Sequence, residues 1–302
     1  MQLFKHAPIF VIIGASLWGI DGILLRPSLY SLPVILVVFV ESMIVTLLLT
    51  PFFINKYKKL KVLKLKDWII FAGVAFFGGA VGTMAITKAL FYVNFVNLSI
   101  VILIQKLQPV FAIGLAAIFL HERPPKQFFL WAGLAIIGAY LMTFGLSIPD
   151  IDTEDKTVLA ALFALLASFS FGSSTVLSKR ALKNIGFELG TYIRFTITAI
   201  LMFVLVLSFG ELGSLKNVTE NQAIIFLFIA LITGGPAIFL YYYGLKHITA
   251  SVSTICELAF PLTAVLLEYS LRGNILGSVQ WIGVIILLFS IIRVSVLKAS
   301  VK

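Results

Sequence analysis

VILIQKLQPVFAIGLAAIFL, residues Val101 to Leu120, is a lipid-soluble run with a cation near its middle. Lys106 stands between Gln105 and Gln108, and Pro109 follows at once. A bilayer core about 30 Å thick is crossed by about 20 apolar residues in a helix. This stretch has that length, so it spans a membrane. Its polar centre then has to face something other than lipid.

The rest of the chain has the same character. Of 302 residues, 60% are hydrophobic and 12% charged, and the mean hydropathy is +1.08. Soluble domains are about half apolar and about a quarter charged. So much apolar surface cannot be hidden in one soluble core of this size. The fold class is therefore an all-α integral membrane protein. Ten spans are predicted, at 8–25, 33–53, 68–90, 95–120, 127–146, 157–178, 187–209, 222–245, 249–270 and 275–296. The apolar N-terminal run lacks a small-residue cleavage site and is read as the first span. The one cysteine, Cys256, excludes a disulfide framework.

The net charge of +10 is a topology signal and not a nucleic-acid footprint, because the cations sit in short loops. One set of segments holds Lys5, the lysines from Lys56 to Lys66, Arg123, Lys126, Lys179, Arg180, Lys183, Lys246, Arg293, Lys298 and Lys302. The opposite loops hold only Arg26, Lys156, Lys216 and Arg272. The expectation is a multi-pass protein of a bacterial inner (plasma) membrane with both termini cytoplasmic.

The chain also repeats itself. Pro109 matches Pro261 at a spacing of 152. Trp131 and Gly133 match Trp281 and Gly283, Gly78-Gly79 matches Gly234-Gly235, and Trp18-Gly19 matches Phe171-Gly172. The halves are placed at 1–150 and 151–302. Each has an odd number of spans, so the two insert with opposite orientation. Such inverted five-helix repeats are an architecture that secondary transporters use around a midplane site.

Leu107 to Met142 (LQPVFAIGLAAIFLHERPPKQFFLWAGLAIIGAYLM), Ala89 to Asn94, Gly244 to Ala250, and AFPL with WIGVIILL in the second half resemble the EamA-like branch of the drug/metabolite transporter superfamily. The resemblance covers essentially the whole chain. It implies a carrier of small metabolites, amino acids or drugs. The central cavity would be lined by spans one to four and six to nine, with spans five and ten as a lateral scaffold. Two departures stand out. That family often has a basic residue in the second span of each half; Arg194 fits, but the first half has Glu41. The loop reading His121-Glu122-Arg123 is matched by Arg272-Gly273-Asn274, so Glu122 has no acidic counterpart.

Candidate substrate-binding residues follow from helical spacing. Asn97, Gln105 and Gln108 share a face of span four, Thr254, Glu257 and Pro261 one of span nine, and Glu188, Thr191, Arg194 and Thr198 one of span seven. Ser170, Ser173 and Ser174 line span six, and Trp18 and Asp21 lie a turn apart in span one. A polar stripe on an apolar helix turns inward. An intramembrane charge costs about 2.5–3.5 kcal/mol on insertion scales. Lys106, Arg194, Glu41 and Glu257 must therefore pair or face water. One reading has the cations attract a carboxylate, with Glu41 or Glu257 taking an amine or a coupling proton. The other makes all four permanent ion pairs. Pro109 and Pro261 each free the carbonyl four residues back, on Gln105 and Glu257. They mark breaks or hinges, or simply kinks. The serines of span six also suit close packing, and Tyr241 to Tyr243 suit an interfacial belt or, as the alternative, stacking on substrate.

His6, His121 and His247 lack metalloprotease spacing, and no nucleophile elbow, P-loop or dinucleotide turn occurs, so an enzyme is not expected. No cofactor or metal is called for. The function expected is alternating-access transport of a small polar metabolite, an amino acid or related carboxylate, with protons as a candidate coupling ion. The alternative is a flippase for a lipid-linked sugar or lipid carrier. The partners are the substrate and the lipid bilayer, with no nucleic acid, and the protein is a monomer or homodimer.

Overall fold

The computed structural model describes residues 6–53, 60–61, 63–92, 101, 104–148, 155–272, 276–297 and 300–301. Among them, nine helices are long and apolar enough to cross a bilayer, and one apolar helix is shorter. In chain order they are α1 Ala7–Leu29, α2 Val34–Phe53, α3 Leu65–Ala89, the short α4 Gln108–Phe119, α5 Lys126–Phe144, α6 Val158–Ala181, α7 Phe187–Ser208, α8 Glu220–His247, α9 Ala250–Leu271 and α10 Ser278–Ser295. Helix dominates because lipid offers no partner for a backbone amide, so each span must satisfy its own. Large apolar side chains such as Leu47, Phe52, Ile69, Ile118, Ile137 and Ile285 stand exposed, as lipid-facing positions do. Most of the first half of the fourth span expected at 95–120 lies outside the described residues.

Several spans are irregular. Wide π-type turns interrupt α1 at Asp21–Leu25, α3 at Ala75–Val81 and α8 at Ile229–Gly234. The second contains Gly78-Gly79, and the third ends at Gly234, the first of the matched pair Gly234-Gly235. The helix α9 is two rods, Ala250–Cys256 and Ala259–Arg272, joined at Glu257-Leu258. A similar turn at Lys106-Leu107 precedes α4. The prolines lie just past these breaks. Pro109 occupies the first turn of α4, where a missing N–H costs nothing. This corrects the expectation that Pro261 orphans the Glu257 carbonyl, which accepts from the Phe260 N–H at 3.0 Å. The breaks were expected, but the mechanism is a fresh helix start and not a mid-helix kink.

The two repeats interleave. Their helices pack across as α1 on α8, α3 on α6, α2 on α7, and α5 on α10. The glycines show that this arrangement has an internal two-fold. A Cβ on Gly19 of α1 would stand 2.8 Å from the Phe260 carbonyl oxygen and 2.9 Å from Thr263 Cβ in α9. A Cβ on Gly172 of α6 would stand 3.1 Å from the Gln108 carbonyl oxygen and 3.2 Å from Phe111 Cβ beside α4. Gln108 and Phe111 precede Phe260 and Thr263 by the same 152 residues that separate the prolines. The pattern recurs where Gly79 meets Thr198 and Gly235 meets Val45. Small residues at these crossings let backbones touch, which is how helices associate where lipid removes the hydrophobic drive.

Enlarging Gly19 or Gly172 to valine should therefore cost about 1–3 kcal/mol each in overpacking and lower the melting temperature in detergent. Gly114→Ala and Gly133→Ala, where an added Cβ meets nothing within 4 Å, should leave it unchanged. Fluorescence-detected thermal unfolding distinguishes the two sets.

Candidate functional site

The site is built on the small polar face of α6. Ser168, Ser170, Ser173, Ser174, Thr175 and Ser178 are all buried. The Ser168 hydroxyl donates to the Ile104 carbonyl at 2.9 Å, tying α6 to the approach to α4. Thr175 Oγ1 lies 3.0 Å from the Tyr241 hydroxyl, and Ser178 Oγ 3.0 Å from the Tyr242 hydroxyl, tying α6 to α8. Short side chains on one helix thus hold two neighbouring segments within hydrogen-bond range.

Glu257, at the break in α9, is the hub. Its Oε2 accepts from Gln108 Nε2 at 2.9 Å. Its Oε1 accepts from the Tyr241 hydroxyl at 2.9 Å, Ser253 Oγ at 3.2 Å and Thr175 Oγ1 at 3.4 Å. The two helix breaks therefore meet, joined by one side-chain hydrogen bond across the repeats. All four donors are neutral, so the carboxylate is solvated by the protein without being neutralised. Trp18 packs on Tyr241 with ring centroids 5.2 Å apart, placing an aromatic wall beside the hub.

The cations are not paired with it. Arg194 Nη1 donates to the Tyr242 hydroxyl at 3.4 Å, with its guanidinium 5.7 Å from that ring's centroid. Lys106 is buried, and its Nζ has no hydrogen-bond partner. Ser170 Oγ and Thr254 Oγ1 are also buried without partners. Buried polar atoms are almost always satisfied. Lys106 lies two residues from Gln108 and Thr254 three residues from Glu257, so these unsatisfied atoms make the region a candidate for holding water or a ligand.

Several expected site residues lie elsewhere. Asp21 and Glu41 share Arg26. Its Nη2 sits 2.6 Å from Asp21 Oδ2 and 3.3 Å from Glu41 Oε1. Glu41 is thus held by a cation assigned from sequence to an outer loop, and neither Lys106 nor Arg194 pairs with it. Arg26 reaches both acids because the helical path of α1 continues to Leu29. The Thr191 hydroxyl donates back to the Phe187 carbonyl at 2.9 Å, so it is spent on its own helix. Gln105 is half-buried in the turn before α4, and Asn97 lies outside the described residues.

Tyr241 and Tyr242 overturn the belt expectation. Both are buried and bound to α6, and only Tyr243 keeps company with Phe10, Phe187 and His247. Sequence reasoning missed Thr175 and Arg26, and it favoured the belt over substrate stacking for Tyr241 and Tyr242. Asp21, five residues before Arg26 on one helical path, was the available signal for it. Nothing local distinguishes a buried Tyr-Tyr from an interfacial one.

The EamA-like transporter family matches residues 6–144 and again 158–296. The riboflavin transporter ImpX of Fusobacterium nucleatum is 43% identical over 96% of this chain and 97% of its own. The uncharacterized transporter YwfM of Bacillus subtilis is 30% identical over 62% of this chain and 60% of its own. A solved crystal structure superposes over 94% of each chain with a TM-score of 0.74 at 15% identity, a likeness of fold alone.

Removing Arg26 (Arg26→Met) strands two buried carboxylates and should destabilise by about 3–5 kcal/mol, as breaking a buried pair does. Lys106→Met removes a charge that has no partner and should leave the melting temperature equal or higher. Thermal unfolding of the two variants in detergent checks the contrast.

Proposed function

We propose, since the chain belongs to the EamA-like transporter family, that it carries a flavin, riboflavin or a close relative, across the membrane by alternating access. Transport and membrane embedding follow from the family; the cargo is our reading. The observation that carries it is the 43% identity, end to end, with a protein named as a riboflavin transporter. The amino-acid cargo expected from the charges gives way on that ground.

The chemistry of the site supports the choice. An isoalloxazine is flat, with apolar faces and a donor–acceptor edge, and it trails a polyol. Trp18 and Tyr241 offer aromatic surface beside the Glu257 hub. The carboxylate can accept from hydroxyl or imide N–H, while Lys106 and Arg194 can donate to the ring carbonyls. Ligand sites of this kind pair apolar walls with a few convergent polar groups. A carboxylate-bearing metabolite is the second reading, favoured by two cations with no carboxylate against them. In both readings the lysine-rich end faces the cytoplasm of an inner membrane.

Riboflavin fluorescence provides the test. Titrating purified protein into riboflavin should quench it, and reconstituted liposomes should accumulate it. Glu257→Gln should weaken binding by about tenfold or more, the worth of a hydrogen bond to a charged group. Absence of quenching, together with uptake of carboxylate-bearing metabolites alone, would transfer the site to the second reading. Uptake indifferent to an imposed pH gradient would remove protons from the cycle.

A further inference from the structure

At the lysine-rich end of the bundle two charged side chains hold the α8–α9 turn, and the matching sequence of the other half has different residues in their places. Glu122, in the α4–α5 loop, is buried. Its Oε1 accepts from the Ala250 N–H at 2.8 Å, and its Oε2 from the Ser251 N–H at 2.9 Å and Ser251 Oγ at 2.7 Å. These donors form the first turn of α9. From the other side, Lys179 Nζ donates to the carbonyls of Leu245 and Lys246 at 2.9 Å each, in the last turn of α8. Lys179 also lies within Coulombic reach of Glu122. One carboxylate from the first repeat and one ammonium from the second thus grip both sides of the α8–α9 turn, each matched to the local backbone dipole. Above the grip, Ala116, Leu120, Val176 and Ala250 close into a small apolar cluster. The loop bearing Glu122 is anchored by the pairing of β1 Glu122–Arg123 with β2 Ser300–Val301. His121 at φ 55° turns the chain into it.

The internal two-fold predicts a second grip, and the residues that would make it differ. Lys179 corresponds to Arg26, 153 residues earlier, the spacing that relates Gly19 to Gly172. Arg26 directs its donors to Asp21 and Glu41 instead. Glu122 lies 13 residues after Pro109, and the residues 12 and 13 after Pro261 are Gly273 and Asn274, neither of them acidic.

We propose that Glu122 and Lys179 form a one-sided clamp on the α8–α9 turn, and that its release is the step that opens the lysine-rich end during transport. The proposal rests on the alternating-access reading but not on the identity of the cargo. Glu122 acts as a positioning residue, remote from the hub.

The test uses the full chain in detergent with Cys256→Ser and a reporter, Val176→Cys, in the apolar seal. The rate of maleimide labelling of Cys at 176 reports opening of this end. Glu122→Gln and Lys179→Met should each raise that rate by about tenfold or more. The double variant should raise it by less than the product of the two, and Lys179→Arg should restore the parent rate. Should Glu122→Gln fail to fold, Lys179→Met reads the same opening. Parental labelling rates in the folded variants, with only a lower melting temperature, would overturn the clamp and leave two structural caps. Raised labelling without flavin uptake would leave the clamp standing and remove the flavin reading.

Discussion

A polar atom inside a bilayer has no water to turn to, so it must find a partner within the protein. The polar atoms here gather on α6, whose serines and threonines reach α3, the approach to α4, and α8. Glu257 completes the set, because a carboxylate within a membrane-spanning helix needs donors from the protein. Gln108, Tyr241, Ser253 and Thr175 supply them from three helices besides its own. The two helix breaks are adjacent because this one acid has to be solvated.

The two-fold makes that meeting possible, and departures from it make the site useful. Gly19 and Gly172 place equivalent crossings on either side of the centre, and Gly79 and Gly235 do so again. Glu257 is matched by Gln105, so a carboxylate stands at one break where the other has an amide with Lys106 next to it. Arg26 and Lys179 are matched in position yet hold different partners, carboxylates for one and backbone carbonyls for the other. Perfect symmetry would make the two faces energetically identical. Substituting a few charged residues biases them without disturbing the packing that carries the fold.

Three unsatisfied buried groups, Lys106 Nζ, Ser170 Oγ and Thr254 Oγ1, sit in this same frame. Buried polar atoms are almost always satisfied, and it is on these three that the proposed site draws.

The sequence by itself determined the membrane class, the repeat, the matched glycines and the polar character of Gln108 and Glu257. These rest on composition, period and spacing, which are local properties. It did not determine that Arg26 holds Asp21 and Glu41, that Tyr241 and Tyr242 face inward, that Thr191 bonds its own helix, or that Glu122 reaches α9. Each of these is a choice between partners many residues apart, or between two faces of one helix. Helical period places a side chain on a face but does not say which neighbour that face will meet. Only the packing of α1 on α8 and of α6 on α3 and α4 settled it, because there the partner that satisfies a buried charge is whichever helix the glycines allow to come close.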